Sequence, residues 1–236
     1  MSTFELKAGR ILGRRYEVID LLGAGWEGEV YLVRERFTDI ERAVKLFYPE
    51  RNPKNRVATN YAKKLHRLRE CEALIQYLSQ EIIRLRGQDV TMLVSEYVEG
   101  KMCSAYVDQL PGKRMPEFEA LHLTYALASA VAPMHRLREY HGDLHGDNIM
   151  VLRRGLRFDI KLLDVFNLGH ASKRNIHTDV CDIVRLFYDV LGGRPRYARQ
   201  RPEIKQVICG LKRSLITRKF PSAEHLKLHL ENIVWQ

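Results

Sequence analysis

The sequence predicts an α+β chain with a small antiparallel sheet first and a larger, mainly helical region after it. The first third alternates β-branched and aromatic runs with turn residues, which is typical of strands joined by short turns. The second half contains an almost uniformly apolar run over 117–137, which is typical of a buried helix. With 236 residues, 45% hydrophobic and 29% charged, the chain has the composition of a globular protein.

The runs YEVIDLLG, EVYLVRER and IERAVKLFY predict three strands of an antiparallel meander over residues 16–48. The run TNYAKKLHRLRECEALIQYLS, residues 59–79, has apolar residues at steps of three and four with a gap near Cys71, and this predicts one long helix. IIRLRG and TMLVSEYV then predict two more strands. Together these elements form the predicted sheet region.

The pattern becomes helical after Gly100, apart from MVLRRGLRFDIKLLDVF, which predicts two short strands about a glycine turn. We therefore expect a single domain over 1–236, with an N-terminal lobe over 1–96, a hinge over 97–100 and a C-terminal lobe over 101–236.

The formal net charge of +10 is concentrated in two segments. Segment 51–69 has seven Lys/Arg and no acid, and segment 194–219 has nine Lys/Arg and one Glu. One interpretation is a surface for an acidic partner, such as anionic lipid, nucleic acid or an acidic substrate. The second interpretation is that each segment is a solvated helix face. We favour the second interpretation, because no aromatic platform on which bases could stack is interleaved with the cations.

The four cysteines are scattered without a CxxC pair, so we expect reduced thiols and a cytoplasmic location. The N-terminal residues lack an apolar signal-peptide core, and no apolar stretch approaches the roughly 20 residues that a bilayer requires. The sequence therefore predicts neither secretion nor membrane insertion.

Gly23, Gly25 and Gly28 follow a GxGxxG spacing, in which glycines let the backbone approach phosphate oxygens. A strand rather than a helix follows, which disfavours a dinucleotide-binding motif, but a plain glycine-rich hairpin is an alternative. Lys45 lies on the next predicted strand, where its ammonium could reach nucleotide phosphates. Strand alternation alone does not decide between this role and a solvent-facing lysine.

The stretch HGDLHGDN, residues 141–148, concentrates two histidines, two aspartates and an asparagine. Crowded carboxylates repel one another and are rarely buried unpaired. A site for metal and phosphate explains such crowding better than structure alone. Asp147 could cap a turn or contact a metal, and the sequence leaves both open.

The glycine loop, AVK, SEYVEG, HGDLHGDN and LLDVF occur in an order and spacing that resemble the protein kinase superfamily over nearly the whole chain. The resemblance implies a two-lobed protein-kinase-like fold that binds ATP and Mg²⁺ (or Mn²⁺). It implies that Asp143 orients the attacking hydroxyl, and that Asn148 and Asp164 bind the metal. The nucleotide contacts that it implies are Gly23, Ala24, Gly25, Gly28, Val30, Ala43, Lys45, Glu96, Val98 and His145.

The resemblance also implies a helix glutamate that pairs with Lys45. The register of the following strand selects Glu70, with Glu72 as the second choice, and an exposed glutamate balancing nearby cations is the alternative. Asp179 resembles the aspartate that hydrogen-bonds the catalytic-loop backbone.

Two departures leave the acceptor open. HGDLH is closer to the aminoglycoside and choline kinase branch, and Asp179 follows Asp164 by only fifteen positions without an APE sequence. Our first choice is a serine/threonine protein kinase, because DVCDIVRLFYDVL and KFPSAEHL resemble eukaryotic-like kinases. The alternatives are a small-molecule or lipid-headgroup kinase and a nucleotide-binding pseudokinase scaffold.

Overall fold

A computed structural model describes residues 3–155, 157–165 and 171–234. The chain divides into two compact units, one formed by Met1–Glu70 and Ile75–Val98, the other by Cys71–Leu74 and Glu99–Gln236. The short segment Cys71–Leu74 joins the second unit because the backbone N–H of Leu162 donates to the carbonyl of Ala73 at 2.7 Å. Each unit has its own sheet.

The first unit is built on a six-stranded antiparallel sheet in the order β1-β2-β3-β4-β6-β5. Its strands are β1 Ile11–Leu12, β2 Tyr16–Ala24, β3 Gly28–Glu35, β4 Glu41–Phe47, β5 Tyr77–Leu85 and β6 Gln88–Glu96. One α-helix, α1 Arg56–Arg67, lies between β4 and β5 in the chain. The predicted meander over residues 16–48 is confirmed as β2, β3 and β4.

The two faces of this sheet differ in chemistry, because side chains alternate along each strand. Val44 and Leu46 are fully buried in the hydrophobic core of the unit. Lys45 therefore lies on the opposite face, where its cross-strand partner is Val30, and Val30 in turn pairs with Gly23 on β2. The strand pairing thus aligns three of the residues predicted to contact nucleotide.

The long helix predicted over 59–79 is wrong in its second half. Helix α1 ends at Arg67, and Tyr77–Leu85 is strand β5, paired along its length with β6. The gap in the apolar periodicity near Cys71 marks the place where the helical pattern breaks. The residues at the start of β5 also fit a helical pattern, but hydrogen bonds to β6 satisfy their backbone N–H and carbonyl groups.

The second unit combines a three-stranded antiparallel sheet, in the order β7-β8-β9, with seven α-helices in the described residues. The strands are β7 Lys101–Met102, β8 Ile149–Arg154 and β9 Arg157–Leu162. The helices are α2 Cys103–Asp108, α3 Glu117–Arg136, α4 Lys173–Val190, α5 Arg194–Tyr197, α6 Pro202–Ile208, α7 Arg213–Lys219 and α8 Ala223–Glu231.

Helix α3 is the centre of the second unit. It packs against α4, α8 and β9, which explains why its sequence is apolar on nearly all sides. The predicted buried helix and the predicted hairpin, now β8 and β9, are both confirmed, as is the α+β fold class with its sheet region before its helical region. No helix within the described ranges is long and apolar enough to cross a membrane.

Candidate active site

The glycine loop connects β2 to β3 in the first unit. The backbone N–H of Gly25 donates to the carbonyl of Gly28 at 2.9 Å, which closes the turn. A Cβ on Gly28 would lie 1.9 Å from the carbonyl oxygen of Leu46, whereas a Cβ on Gly23 or Gly25 would meet nothing within 4 Å. Gly28 is therefore required by the close approach of β3 to β4, and Gly23 and Gly25 border open space.

Lys45 is largely buried, with 13% of its side chain exposed. Its Nζ lies 3.0 Å from Oε2 of Glu27 in the glycine loop. The ring centroids of Tyr61 and Phe47 are 5.2 and 5.4 Å from the same nitrogen. These contacts orient the ammonium on the face of the sheet that also carries Ala43 and Val30.

The predicted ion pair between Lys45 and Glu70 is wrong. Glu70 lies beyond the end of α1, its side chain is 81% exposed, and its ion pair is with Arg69 at 3.5 Å. Glu72 is exposed as well and belongs to the short segment of the second unit. Because α1 ends at Arg67, the helix cannot carry either glutamate towards β4, and the loop residue Glu27 pairs with Lys45 instead.

The predicted nucleotide contacts Glu96 and Val98 lie at the end of β6 and two residues beyond it. The Glu96 carboxylate accepts a hydrogen bond from the backbone N–H of Gln76 at 2.9 Å, and the Glu96 N–H donates to the Gln76 carbonyl at 3.0 Å. This double contact holds the end of β6 against the start of β5. Val98 is the last residue of the first unit.

The catalytic loop of the second unit brings Asp143 and Asn148 together. The Asn148 amide nitrogen donates to the backbone carbonyl of Asp143 at 2.9 Å and to its carboxylate Oδ2 at 2.9 Å. The Asp143 side chain remains 56% exposed.

His145 and Asp147 line the same loop. His145 Nε2 lies 3.0 Å from the Asn148 amide nitrogen and 3.5 Å from Asp143 Oδ2. The Asp147 carboxylate accepts a short hydrogen bond from the Ser104 hydroxyl, and the Asp147 N–H donates to His145 Nδ1 at 3.3 Å. The turn is thus capped by the His145 side chain, and the Asp147 carboxylate binds Ser104. A metal contact of Asp147 and a phosphate contact of His145 stay predictions.

The catalytic loop is anchored by Asp179 of α4, which is completely buried. Its carboxylate accepts hydrogen bonds at 2.7 Å from the N–H groups of His141 and Gly142, as predicted. Gly142 has φ 87°, a left-handed conformation that favours glycine. This backbone requirement explains why a glycine stands there.

His135 of α3 was not identified from the sequence. Its Nδ1 accepts from the N–H of Ala223 at 3.1 Å, so the ring proton lies on Nε2, which donates to Asp179 at 3.1 Å. One buried ring thus connects the catalytic loop anchor to the start of α8. A histidine near the end of an apolar helix is the sequence signal, and by itself it does not distinguish this role from simple packing.

Asp182, one turn after Asp179 on α4, was also missed. Burial raises the pKa of its carboxyl to about 6, and the negative charges of Asp179 and Asp143 add to the effect. Two carboxylates at a three-residue spacing on a helix are visible in the sequence, but the burial that shifts the pKa is not.

Asn148 and Asp164 are the residues predicted to bind metal. Ile149 pairs with Leu162, and the Leu163 N–H donates to the Asn148 carbonyl at 2.9 Å, so the chain leaves β9 beside Asn148. The Asn148 side-chain oxygen accepts no hydrogen bond from any residue in the described part of the chain. An amide oxygen and a carboxylate are donors that suit Mg²⁺.

Asp164 is exposed and has φ 49°, a conformation that is uncommon for residues other than glycine but accessible to aspartate. Phe166, the last residue of LLDVF, lies outside the described residues. Among the described residues, no group of three or more His, Cys, Asp or Glu side chains could enclose a metal ion. The candidate ligands therefore fit a metal that takes its remaining ligands from phosphate or water.

The two basic segments carry the cations that were considered for an acidic partner. On α1, the exposed Lys63 and His66 line a groove of about 510 Å³ with Tyr77 and Gln80 of β5. In both segments, cations bond the chain itself. Arg69 donates to the His66 carbonyl in the first segment, and in the second Arg201 pairs with Glu117, while donors to backbone carbonyls are Lys205, Arg213 and Lys219. An acidic partner for either segment stays a prediction.

A glycine loop followed by a strand lysine, then an Asp–Asn catalytic loop anchored on a helix, defines the kinase class of folds. The chain belongs to the protein kinase domain family, which it matches over residues 16–198.

Serine/threonine-protein kinase PksC of Streptomyces coelicolor is 27% identical over 168 residues, 66% of this chain and 29% of PksC. CBL-interacting protein kinase 29 of Oryza sativa subsp. japonica is 30% identical over 184 residues, 74% of this chain and 40% of the relative. Serine/threonine-protein kinase PrkC of Bacillus subtilis is 26% identical over 158 residues, 66% of this chain and 23% of PrkC. The chain thus spans less than half of each of these relatives.

Among solved structures, the PknI kinase domain of Mycobacterium tuberculosis superposes with a TM-score of 0.62 at 18% identity, covering 96% of this chain and 98% of that one. This likeness supports the kinase fold across both units.

Proposed function

We propose that this chain is a serine/threonine protein kinase domain that transfers the γ-phosphoryl group of ATP to a protein hydroxyl. The observation that carries the proposal is the hydrogen bond from the Asn148 amide to Oδ2 of Asp143, whose side chain remains 56% exposed. Membership of the protein kinase domain family and the named serine/threonine kinase relatives support the acceptor class.

In the proposed reaction the acceptor hydroxyl oxygen forms a bond to the γ-phosphorus while the bond from that phosphorus to the β–γ bridging oxygen breaks. The hydroxyl proton passes to Asp143, and ADP leaves with the bridging oxygen. Lys45 binds the nucleotide phosphates. Mg²⁺ would be bound by Asn148 and Asp164, and it would neutralise charge on the phosphates.

The protein contributes mainly position and charge, because phosphoryl transfer needs little covalent chemistry from side chains. Asn148 restricts the rotation of the Asp143 carboxylate, and Asp179 fixes the backbone just before it. A cytoplasmic location and Mg²⁺ as the specific metal belong to this proposal.

The experiment is transfer of γ-labelled phosphate from ATP with Mg²⁺ or Mn²⁺ to a mixed protein substrate, for wild type and Asp143→Asn. We expect labelled protein with wild type and a loss of about 100-fold or more in Asp143→Asn, since a positioned general base contributes about that much. Asp108→Asn, an exposed aspartate of the same unit, is the matched control and should retain wild-type activity.

The soluble fraction separates the alternatives. Label in a small molecule and none on protein would replace the proposal with a small-molecule or lipid-headgroup kinase, the reading favoured by HGDLH. Nucleotide binding without transfer to any acceptor would indicate a scaffold. Equal labelling by Asp143→Asn and wild type would remove Asp143 from the mechanism.

A further inference from the structure

The glycine loop contains a carboxylate that binds the cation assigned above to the nucleotide phosphates: Glu27 Oε2 lies 3.0 Å from Lys45 Nζ. We propose that Glu27 is a specificity-determining positioning residue, which holds Lys45 in the absence of nucleotide and is displaced by phosphate oxygens. This inference rests on the proposed function, because it requires that Lys45 bind nucleotide phosphates.

The surroundings of Lys45 explain why it needs an anion. Only 13% of its side chain is exposed, and an ammonium that loses most of its water requires a partner. The rings of Tyr61 and Phe47, at 5.2 and 5.4 Å, stabilise the charge from the side. Glu27 provides an acceptor oxygen for the ammonium at 3.0 Å.

A phosphate group and Glu27 would compete for the same ammonium. Two anions placed on one partly buried cation lie within a few ångströms of each other, where their repulsion is strong because little water screens it. The Glu27 side chain is 36% exposed, so it can turn into solvent and regain its hydration. Exchange of one anion for the other is therefore favoured over binding of both.

The backbone of the loop is held independently of the Glu27 carboxylate. The Glu27 carbonyl accepts a hydrogen bond from the Tyr48 N–H at 2.9 Å. The Arg51 guanidinium stacks on the ring of Trp26, with its carbon 3.3 Å from the ring centroid. Removal of the Glu27 charge should therefore leave the loop backbone in place. Any change in nucleotide affinity would then measure the competition between Glu27 and phosphate for Lys45.

Competition at Lys45 predicts discrimination by phosphate charge. Adenosine has no phosphate to exchange for Glu27, so its affinity should not depend on that carboxylate. ADP and ATP must displace it, so both should bind more tightly once it is neutral. Glu27 thereby weakens binding of phosphorylated nucleotides selectively.

The experiment is calorimetric titration of the full chain with adenosine, ADP and ATP, the nucleotides with Mg²⁺, for wild type, Glu27→Gln and Glu41→Gln. Glu41 is a partly exposed glutamate of the same unit whose ion pair is with Arg34, which makes it the matched control. We expect Glu27→Gln to lower the Kd for ADP and ATP by roughly three- to tenfold, as for a half-exposed ion pair. Adenosine and Glu41→Gln should show no change.

Steady-state kinetics give a second readout. Glu27→Gln should lower the KM for ATP without lowering kcat, and the KM of Glu27→Asp, which keeps a carboxylate, should lie between those of Glu27→Gln and wild type. An unchanged or raised Kd for ADP in Glu27→Gln would overturn the inference, as would an equal change for adenosine, which indicates a general loosening of the loop. Trp26→Ala, which frees the loop but keeps the charge, must not reproduce the effect.

The inference and the proposed function fail in different ways. Wild type that binds ADP and ATP, with Glu27→Gln unchanged, removes the inference alone. Absence of ADP and ATP binding in every variant removes the proposed function and this inference with it.

Discussion

The catalytic loop of the second unit is anchored by a buried carboxylate, whereas the glycine loop of the first unit is held by side chains that solvent reaches. Asp179 is completely buried and accepts three hydrogen bonds. At the tip of the glycine loop, the side chains that contact Lys45 and Arg51 are Glu27, which is 36% exposed, and Trp26, which is 64% exposed. The catalytic loop is thus anchored in the core, whereas the side-chain contacts at the tip of the glycine loop are accessible to solvent.

The first way to test this contrast is to remove the buried anchor. Asp179→Ala leaves the N–H groups of His141 and Gly142 and the His135 ring N–H without their acceptor. We expect a loss of about 3 kcal/mol or more in the free energy of unfolding, because each buried donor left unsatisfied costs about 1 kcal/mol or more. Urea denaturation measures the loss, and hydrogen exchange should place it in the second unit.

Asp108→Ala is the matched control, because it removes an exposed aspartate of the same unit that pairs with Lys113 at 3.4 Å. It should change stability by less than about 0.5 kcal/mol. Equal effects of the two substitutions would show that the catalytic loop does not depend on its buried anchor.

A second test addresses the glycine loop, in which chemically equal residues have different surroundings. Gly28→Ala places a methyl group 1.9 Å from the Leu46 carbonyl oxygen, so β3 and β4 must separate, at a cost of about 2 kcal/mol. Gly25→Ala, with nothing within 4 Å, is the control and should cost less than about 0.5 kcal/mol. Thermal unfolding compares them, and a larger loss for Gly25→Ala would contradict this account of the loop.

The smallest expected effect concerns Asp182, whose carboxyl has a pKa raised to about 6. A raised pKa in the folded state means that its contribution to stability is present below about pH 4 and is lost as pH rises through 6. Asp182→Asn should therefore be more stable than wild type at pH 7.5, by about 1 kcal/mol once solvent screening is allowed for, and about equal at pH 4.

Urea denaturation at pH 4 and pH 7.5 measures this difference, with Asp108→Asn as the exposed control. A stabilisation by Asp182→Asn of the same size at both pH values would show that the charge of Asp182 is not its cause.

Local patterns predicted most of the fold but misassigned one segment. Alternating apolar residues identify β2, β3 and β4, and the all-apolar run identifies α3, because these patterns reflect burial on one face or on all sides. Residues 68–79 fit a helical pattern too, yet β5 starts at Tyr77. Its hydrogen bonds to β6 are long-range, and no local periodicity contains that information.

What the sequence by itself determined is the order of the chemistry: glycine loop, Lys45, Asp143 with Asn148, and Asp164. Their spacing along the chain suffices, because each motif is short and local. Only the tertiary structure decided the partners: Glu27 rather than Glu70 for Lys45, and His135 with Asp179 behind the catalytic loop. Which residue pairs with Lys45 or Asp179 depends on where α1 ends and on which side chains are buried next to each other. Both are set by contacts between residues distant in the chain.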